Sequence, residues 1–429
     1  MFKDKNLPQQ TLLKEYGNCI EVYQGKGTLQ LINGEKHHCY FEAGQLSNGQ
    51  VILLCDFLPP FPHSIQISAE RFDGETSEGY QIYAEKRINE VNYLPEIPID
   101  CNSGFWSVFH LTEMSISMTD GPLERLHFGV TNFDFLGTER VICSDNSYQH
   151  TLPLNLQGKN GTTTISMSPL NHYDRIIKRL KTLKSIDVTC EVVIDIPANG
   201  EIGQVTEMLD NLCFILSVAR GTKIQWMYCD HYNDKGRIIK RTHFSRITKP
   251  YCPLKVIHPI AGSGKETKTF IEQAYPAYVN KRKSYKLDKG TIDAYLDAKA
   301  EADFLEMRGV KLAVGMEILK TVFGKALNIK DKSFESIIGK LCNSMNLGVT
   351  QQEIDLFVKC RNSLIHEGEF YCITATRGQR KKCKPLSTKT EEYLFLVNFL
   401  DKVFLKLLGY NGPYIDWSVP NKPTHQEHV

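Results

Sequence analysis

TQQEIDLFVKCRNSLIHEG, residues 350–368, is the most sharply punctuated stretch of the chain. Thr350 with Glu353 three residues on is a capping-box signature, in which each side chain can satisfy a backbone N–H that the first helical turn leaves unpaired. Gly368 stands where a helix commonly stops in the left-handed conformation. The two signals bracket a helix over 350–367, and Arg361, Asn362 and His366 fall in its last two turns. Asn362 and His366 are four apart, which stacks them on one face. Arg361 lies five positions from His366, about 140° around an ideal helix, so the pair need not converge within one face.

Working outward, helical periodicity also predicts helices near 266–283, 290–326, 333–346 and 387–408. Gly309 and Gly315 are candidate breaks in the second of these, and about twenty residues separate the 350–367 helix from the next. The last helix is apolar nearly all round, from Tyr393 to Leu408, so it must be buried in a bundle or at a subunit interface. Residues 248–266, with three prolines and a Gly-Ser-Gly, read as a linker.

On the other side of that segment the period changes to two. Cys19 to Tyr23, Gln50 to Cys55, Ser64 to Ala69, Gly79 to Ala84, Trp106 to His110 and Leu126 to Val130 read as short strands. Asn33-Gly34, Asp73-Gly74, Asp120-Gly121 and Asn160-Gly161 read as turns between strands, the pattern of an antiparallel sandwich or barrel. A strand at Val188 to Ile194 and a helix near Ile202 to Val218 follow. Then comes a hairpin, Lys223 to Cys229 and Arg237 to Phe244, around Asn233-Asp234-Lys235-Gly236.

The expected organisation is α+β and multidomain: a β-rich sandwich or barrel-like domain over 1–250, a linker over 251–264, an all-α bundle over 265–412 and a tail over 413–429. The formal charge of +2 conceals an asymmetry, about −5 for residues 1–250 and about +7 for 251–429, compatible with a polyanionic partner for the latter. Thirteen cysteines without a CxxC pair fit reduced thiols, and the charged N-terminus, MFKDKNLPQQ, is not a secretory signal. No apolar stretch is expected to reach membrane-spanning length, so a cytoplasmic address is expected.

Several chemistries find no support. Ala261-Gly262-Ser263-Gly264-Lys265-Glu266-Thr267 resembles a phosphate loop, but Pro259 and Glu266 occupy positions where that loop needs a glycine and a hydroxyl. His37-His38-Cys39 and Cys229-Asp230-His231 lack the paired spacing that closes four ligands around zinc, so no metal and no cofactor are expected. Neither a G-x-S-x-G elbow nor an H-E-x-x-H helix is present.

Arg361 and His366 carry the positive signal. A guanidinium clamps phosphate and an imidazole moves protons near neutral pH, which together suit phosphodiester cleavage. The spacing alone is cheap, because Arg237 and His243 make a similar one on the hairpin. The same residues also describe a structural helix end, with Arg361 bridging the bundle and His366 favoured by the helix dipole. After the motif, Arg377, Arg380, Lys381, Lys382, Lys384 and Lys389 form a run without acidic residues, a candidate track for RNA backbone or a solvated loop.

Arg361, Asn362 and His366 within a helical bundle resemble the HEPN family, whose motif is Arg, four to six residues, then His, often with a polar residue after the Arg. The resemblance covers roughly residues 265–410. A β-rich half before such a bundle is similar to ApeA-type antiphage proteins. It implies a homodimeric, metal-independent endoribonuclease with a composite cleft, in which His366 handles the proton of the 2′-hydroxyl or leaving oxygen, Arg361 stabilises phosphate charge and Asn362 orients. An acidic residue on an earlier helix assists in some members, and Glu317 is the candidate here. The implied partners are RNA, a second copy of the chain and a phage-derived or other trigger at the N-terminal domain, with no membrane. The alternative is a catalytically silent scaffold whose bundle only dimerises.

Overall fold

The period-two pattern becomes antiparallel pairing in the computed structural model, which describes residues 12–15, 17–58, 68–90, 106–142, 148–158, 161–195, 202–285, 287, 292–300, 303–329, 333–418 and 424–426. The early strands are β1 (Cys19–Leu31), β2 (Lys36–Leu46), β3 (Val51–Phe57), β4 (Ser68–Thr76), β5 (Gln81–Glu90), β6 (Trp106–Leu111), β7 (Glu113–Ser117) and β8 (Arg125–Thr131). After them come β9 (Glu139–Ile142), β10 (Tyr148–Gly158), β11 (Gly161–Pro169), helix α1 (Tyr173–Leu183), β12 (Val188–Asp195), α2 (Ile202–Arg220), β13 (Trp226–Tyr232) and β14 (Ile238–Phe244). The helical half comprises α3 (Lys265–Lys281), α4 (Ile292–Lys299), α5 (Leu305–Ala326), α6 (Phe334–Met345), α7 (Gln351–Glu367), α8 (Tyr371–Thr374), α9 (Arg377–Lys382) and α10 (Lys389–Leu407), then β15 (Tyr414–Asp416) and β16 (Thr424–Gln426).

Two compact units emerge, the first drawn from residues 1–131, 186–200 and 225–248, the second from 132–185, 201–224 and 249–429. In the first, β4-β1-β2-β3-β6-β5 pair in that order, and β4 also pairs with β5, so six antiparallel strands close on themselves. Closure removes the edges that would otherwise invite pairing with other chains. Alternate residues fill the interior: Cys39, Phe41 and Ala43 from β2, Val51, Leu53 and Cys55 from β3, Phe109 and Leu111 from β6. β7 continues the pairing from β5 to β14, β13, β8 and β12. The expected hairpin is present as β13 and β14, with Asn233 Oδ1 accepting from the backbone of Lys235 and Arg237. Asp73-Gly74, however, is not a turn. Gly74 lies within β4, paired with Gly27 on one side and Ile82 on the other, so pairing overrides local turn preference. Parts of the Ser64 to Ala69 strand and of Asn160-Gly161 lie outside the described residues.

The second unit departs from the expected boundary at 250. Phe214 of α2 stacks on Tyr278 of α3 at 4.1 Å, and Arg220 is buried against Asp134, its Nε 3.1 Å from the carboxylate, so these stretches assemble with the helices. Residues 251–264 are no linker either. Tyr251, Cys252, Leu254, Val256 and Ile257 are buried, and the N–H groups of Val256 and Ile257 both donate to Ala219 O at 3.0 Å, satisfying a carbonyl at the end of α2. The tail is partly structured: Tyr414 and Ile415 are buried, and β15 pairs with β16.

The expected 290–326 helix divides into α4 and α5, which end and begin at Lys299 and Leu305, and neither Gly309 nor Gly315 breaks α5. Gly309 instead admits α7: a Cβ there would meet Leu364 Cδ2 at 2.7 Å and Phe370 Cζ at 2.9 Å. The apolar α10 is buried within the bundle, where Asp401 pairs with Lys299 at 2.9 Å, both fully enclosed. Contrary to the expectation that no apolar stretch is of spanning length, one helix, α2, does reach the length and mean hydropathy of a membrane span, and 56% of it is buried in protein. The described cysteines are all free thiols.

Candidate active site

The site is built on α7. The capping box forms as expected, with Glu353 N donating to Thr350 Oγ1 at 3.2 Å and Thr350 N to Glu353 Oε2 at 2.7 Å, and Gly368 ends the helix at φ 70°. Both ends of the element that carries the motif are thereby pinned.

Arg361 points inward and is held on three sides. One NH2 meets the Glu317 carboxylate from α5, the other donates to Asn362 Oδ1 at 2.7 Å, and the guanidinium lies 4.9 Å from the centre of the Phe334 ring at the start of α6. Its side chain is only 13% exposed, and its Nε is buried with no hydrogen-bond acceptor among the described residues. Glu317 is shared with Lys320 at 3.0 Å, so the carboxylate carries two cations. Three of the four expected site residues, Arg361, Asn362 and Glu317, are therefore in one contact set. Phe334 belongs with them and was missed, because no local pattern distinguishes a ring that serves as a guanidinium platform from a core aromatic.

His366 does not join that set. It is exposed in the last turn of α7 and makes no hydrogen bond or ion pair among the described residues. Ser363 Oγ, three positions earlier, is hydrogen-bonded to Thr374 Oγ1 at 2.6 Å, which ties α8 to the motif helix.

The basic run is divided in its uses. Arg380 is spent internally, donating to the carbonyls of Ala375 and Cys372 at 2.9 Å each and so closing the end of α8. Lys389 is bound by Glu306 at 2.6 Å and Glu369 at 3.0 Å, so the run is not free of acidic partners. Arg377, Lys381, Lys382 and Lys384 are exposed and make no ion pair among the described residues.

The sequence-level metal candidates are engaged otherwise. Thr28 Oγ1 bonds His38 Nδ1 at 3.0 Å, and Asp230 is clamped by Arg241. Among the described residues no group of three or more His, Cys, Asp or Glu side chains converges. No family model matches the chain, and neither a curated protein nor a solved structure does.

Proposed function

We propose that this chain is a cytoplasmic endoribonuclease of the HEPN type, acting as a homodimer in which two copies of α7 face one cleft. The observation that carries the reading is the division of labour on α7: Arg361 is fixed by Glu317, Asn362 and Phe334, while His366 stands exposed one turn on. His366 of one copy takes the proton of an RNA 2′-hydroxyl, the 2′-oxygen bonds to the adjacent phosphorus, and the P–O5′ bond breaks as that oxygen takes a proton from the protonated imidazole of the second copy's His366. The products are a 2′,3′-cyclic phosphate and a 5′-hydroxyl. Arg361 meets the charge on the phosphoryl oxygens through its guanidinium charge, and Glu317 and Asn362 hold it in place. Side chains carry every proton and charge in this scheme, so the reaction proceeds in EDTA.

Arg377, Lys381, Lys382 and Lys384 would bind RNA backbone, and the β-rich unit would sense a phage-derived or other trigger. The biological role in this reading is antiphage defence by abortive infection. A specific observation favours a second reading: Arg361 is nearly enclosed and already neutralised by Glu317, which suits a silent dimerisation scaffold. Incubating the purified full-length protein with single-stranded RNA in EDTA separates the two. Cleavage that is lost in folded His366→Ala supports the nuclease. Cleavage that persists in that variant removes the site.

A further inference from the structure

We infer that the second unit binds a nucleotide, in a cavity of about 740 Å³ walled by α1, residues 134–135, the 251–260 segment and the C-terminal strand β15 with Trp417. The volume falls within the range of small-molecule sites, roughly 300–1,000 Å³. None of its walls belongs to α7, so the inference stands apart from the nuclease reading.

Besides aliphatic and proline surface, two kinds of side chain line the cavity. Phe135, Tyr173, Tyr251 and Trp417 supply aromatic surface on which a base can stack. Their positions are set by polar contacts: Tyr173 Oη accepts from Phe135 N at 2.7 Å, Tyr251 Oη bonds Asp134 Oδ2 at 3.3 Å, and Trp417 Nε1 donates to Lys255 O at 2.6 Å. Rings fixed in this way lose little freedom when a ligand arrives.

The second kind is cationic. Lys181 and Lys184 stand at the exposed end of α1, and Lys255 lies deeper, in contact with Asp134. Asp134 is also paired with Arg220, so the buried carboxylate is matched by two cations. With Asp174 as the other acidic wall residue, the lining itself holds three lysines, Lys181, Lys184 and Lys255, against two carboxylates, an excess of one positive charge on the side a phosphate would take. His258 also lines this wall. Its Nδ1 accepts from Ile260 N at 3.3 Å and Ala261 N at 3.1 Å, which places the proton of the neutral ring on Nε2. Aromatic faces beside clustered lysines in a half-open cavity match a base joined to a phosphate.

Calorimetric titration of the full-length protein with AMP, GMP, CMP and UMP, alongside adenosine and inorganic phosphate, tests the inference. At least one mononucleotide should bind with a Kd below about 100 µM, and Lys181→Ala/Lys184→Ala should weaken it about tenfold or more. Both lysines are exposed, so the double variant keeps its fold. Trp417 emission should respond to binding, and Trp417→Phe should abolish that response. Absence of binding by all four nucleotides at millimolar concentration overturns the proposal. Equal affinity for adenosine or for phosphate alone also overturns it, as does unchanged affinity in the double variant.

Discussion

Two arginine and histidine pairs in this molecule have similar chemistry and opposite settings. On β14, Arg241 grips Asp230 through two hydrogen bonds of 2.5 Å and also meets Glu21, and its guanidinium lies over the Tyr228 ring at 4.8 Å. His243, two residues on, is fully buried. The NH2 of Gln45 donates to the carbonyls of Met227 and Phe244, so its Oε1 accepts from His243 Nδ1–H at 2.9 Å, leaving Nε2 to face Tyr23 Oη at 3.4 Å. Every polar atom of that imidazole has a protein partner. On α7, the arginine is equally engaged but the histidine is exposed. The difference is not in residue type. A sealed histidine can orient a network, whereas only an accessible one can exchange a proton with a substrate.

Substitutions that break one pair and spare the other sharpen this contrast. The largest stability loss is expected for Arg241→Ala, which leaves Asp230, 1% exposed, with an uncompensated charge. About 3–5 kcal/mol should be lost, read by urea denaturation. A loss below about 1 kcal/mol would show that the strand cluster is not the sealed unit described. His366→Ala should do the reverse: RNA cleavage falls about 100-fold or more, with stability within about 0.5 kcal/mol of the parent. Gly309→Ala comes next, at about 1–3 kcal/mol, because its methyl group collides with Leu364 and Phe370 where α5 meets α7. If that variant melts like the parent, the helices are not in close approach there.

The smallest effect is one of pH. Burial opposes ionisation of Glu21, but contact with His243 and the guanidinium of Arg241 outweigh it and draw its pKa down to about 2. An unfolded glutamate titrates near 4.3, so the stabilisation from Glu21 is complete above about pH 4.3 and disappears as pH falls towards 2. The side chain is 33% exposed, which keeps the contribution modest. Acid titration of the fold should show this component in the parent and a weaker one in Arg241→Ala, whereas Arg361→Ala should leave it unchanged.

What the sequence made legible was local. Thr350, Glu353 and Gly368 mark α7 because caps act within one turn, and period-two alternation revealed β1, β3, β6 and β8 for the same reason. Closure of the six strands was not readable beyond a sandwich or barrel, since it rests on pairing of β4 with both β1 and β5. The expected first domain over 1–250 failed through contacts remote in sequence, above all Arg220 with Asp134, 86 positions apart. Three prolines made 248–266 look like a connection, yet Leu254, Val256 and Ile257 were an apolar signal of burial. In the site, Arg361, Asn362 and His366 came from their place in the last turns of a capped helix and from the resemblance to a known motif, whereas the contact of Glu317 with Arg361 depends on how α5 and α7 pack.

The C-terminal strap has a consequence for how the protein is made. Ile415 N donates to Val256 O at 2.8 Å and Trp417 to Lys255 O, across 162 positions of chain in the latter case. A ribosome that has released α2 and the 251–260 segment must still add more than a hundred residues before these bonds can form. Until then Val256 and Lys255 lack their strap, and one wall of the cavity does not exist. Such sequence-distant closure slows folding and prolongs the exposure of apolar surface to chaperones and proteases. The cavity wall in this unit is therefore completed only after Ile415 and Trp417 have been made.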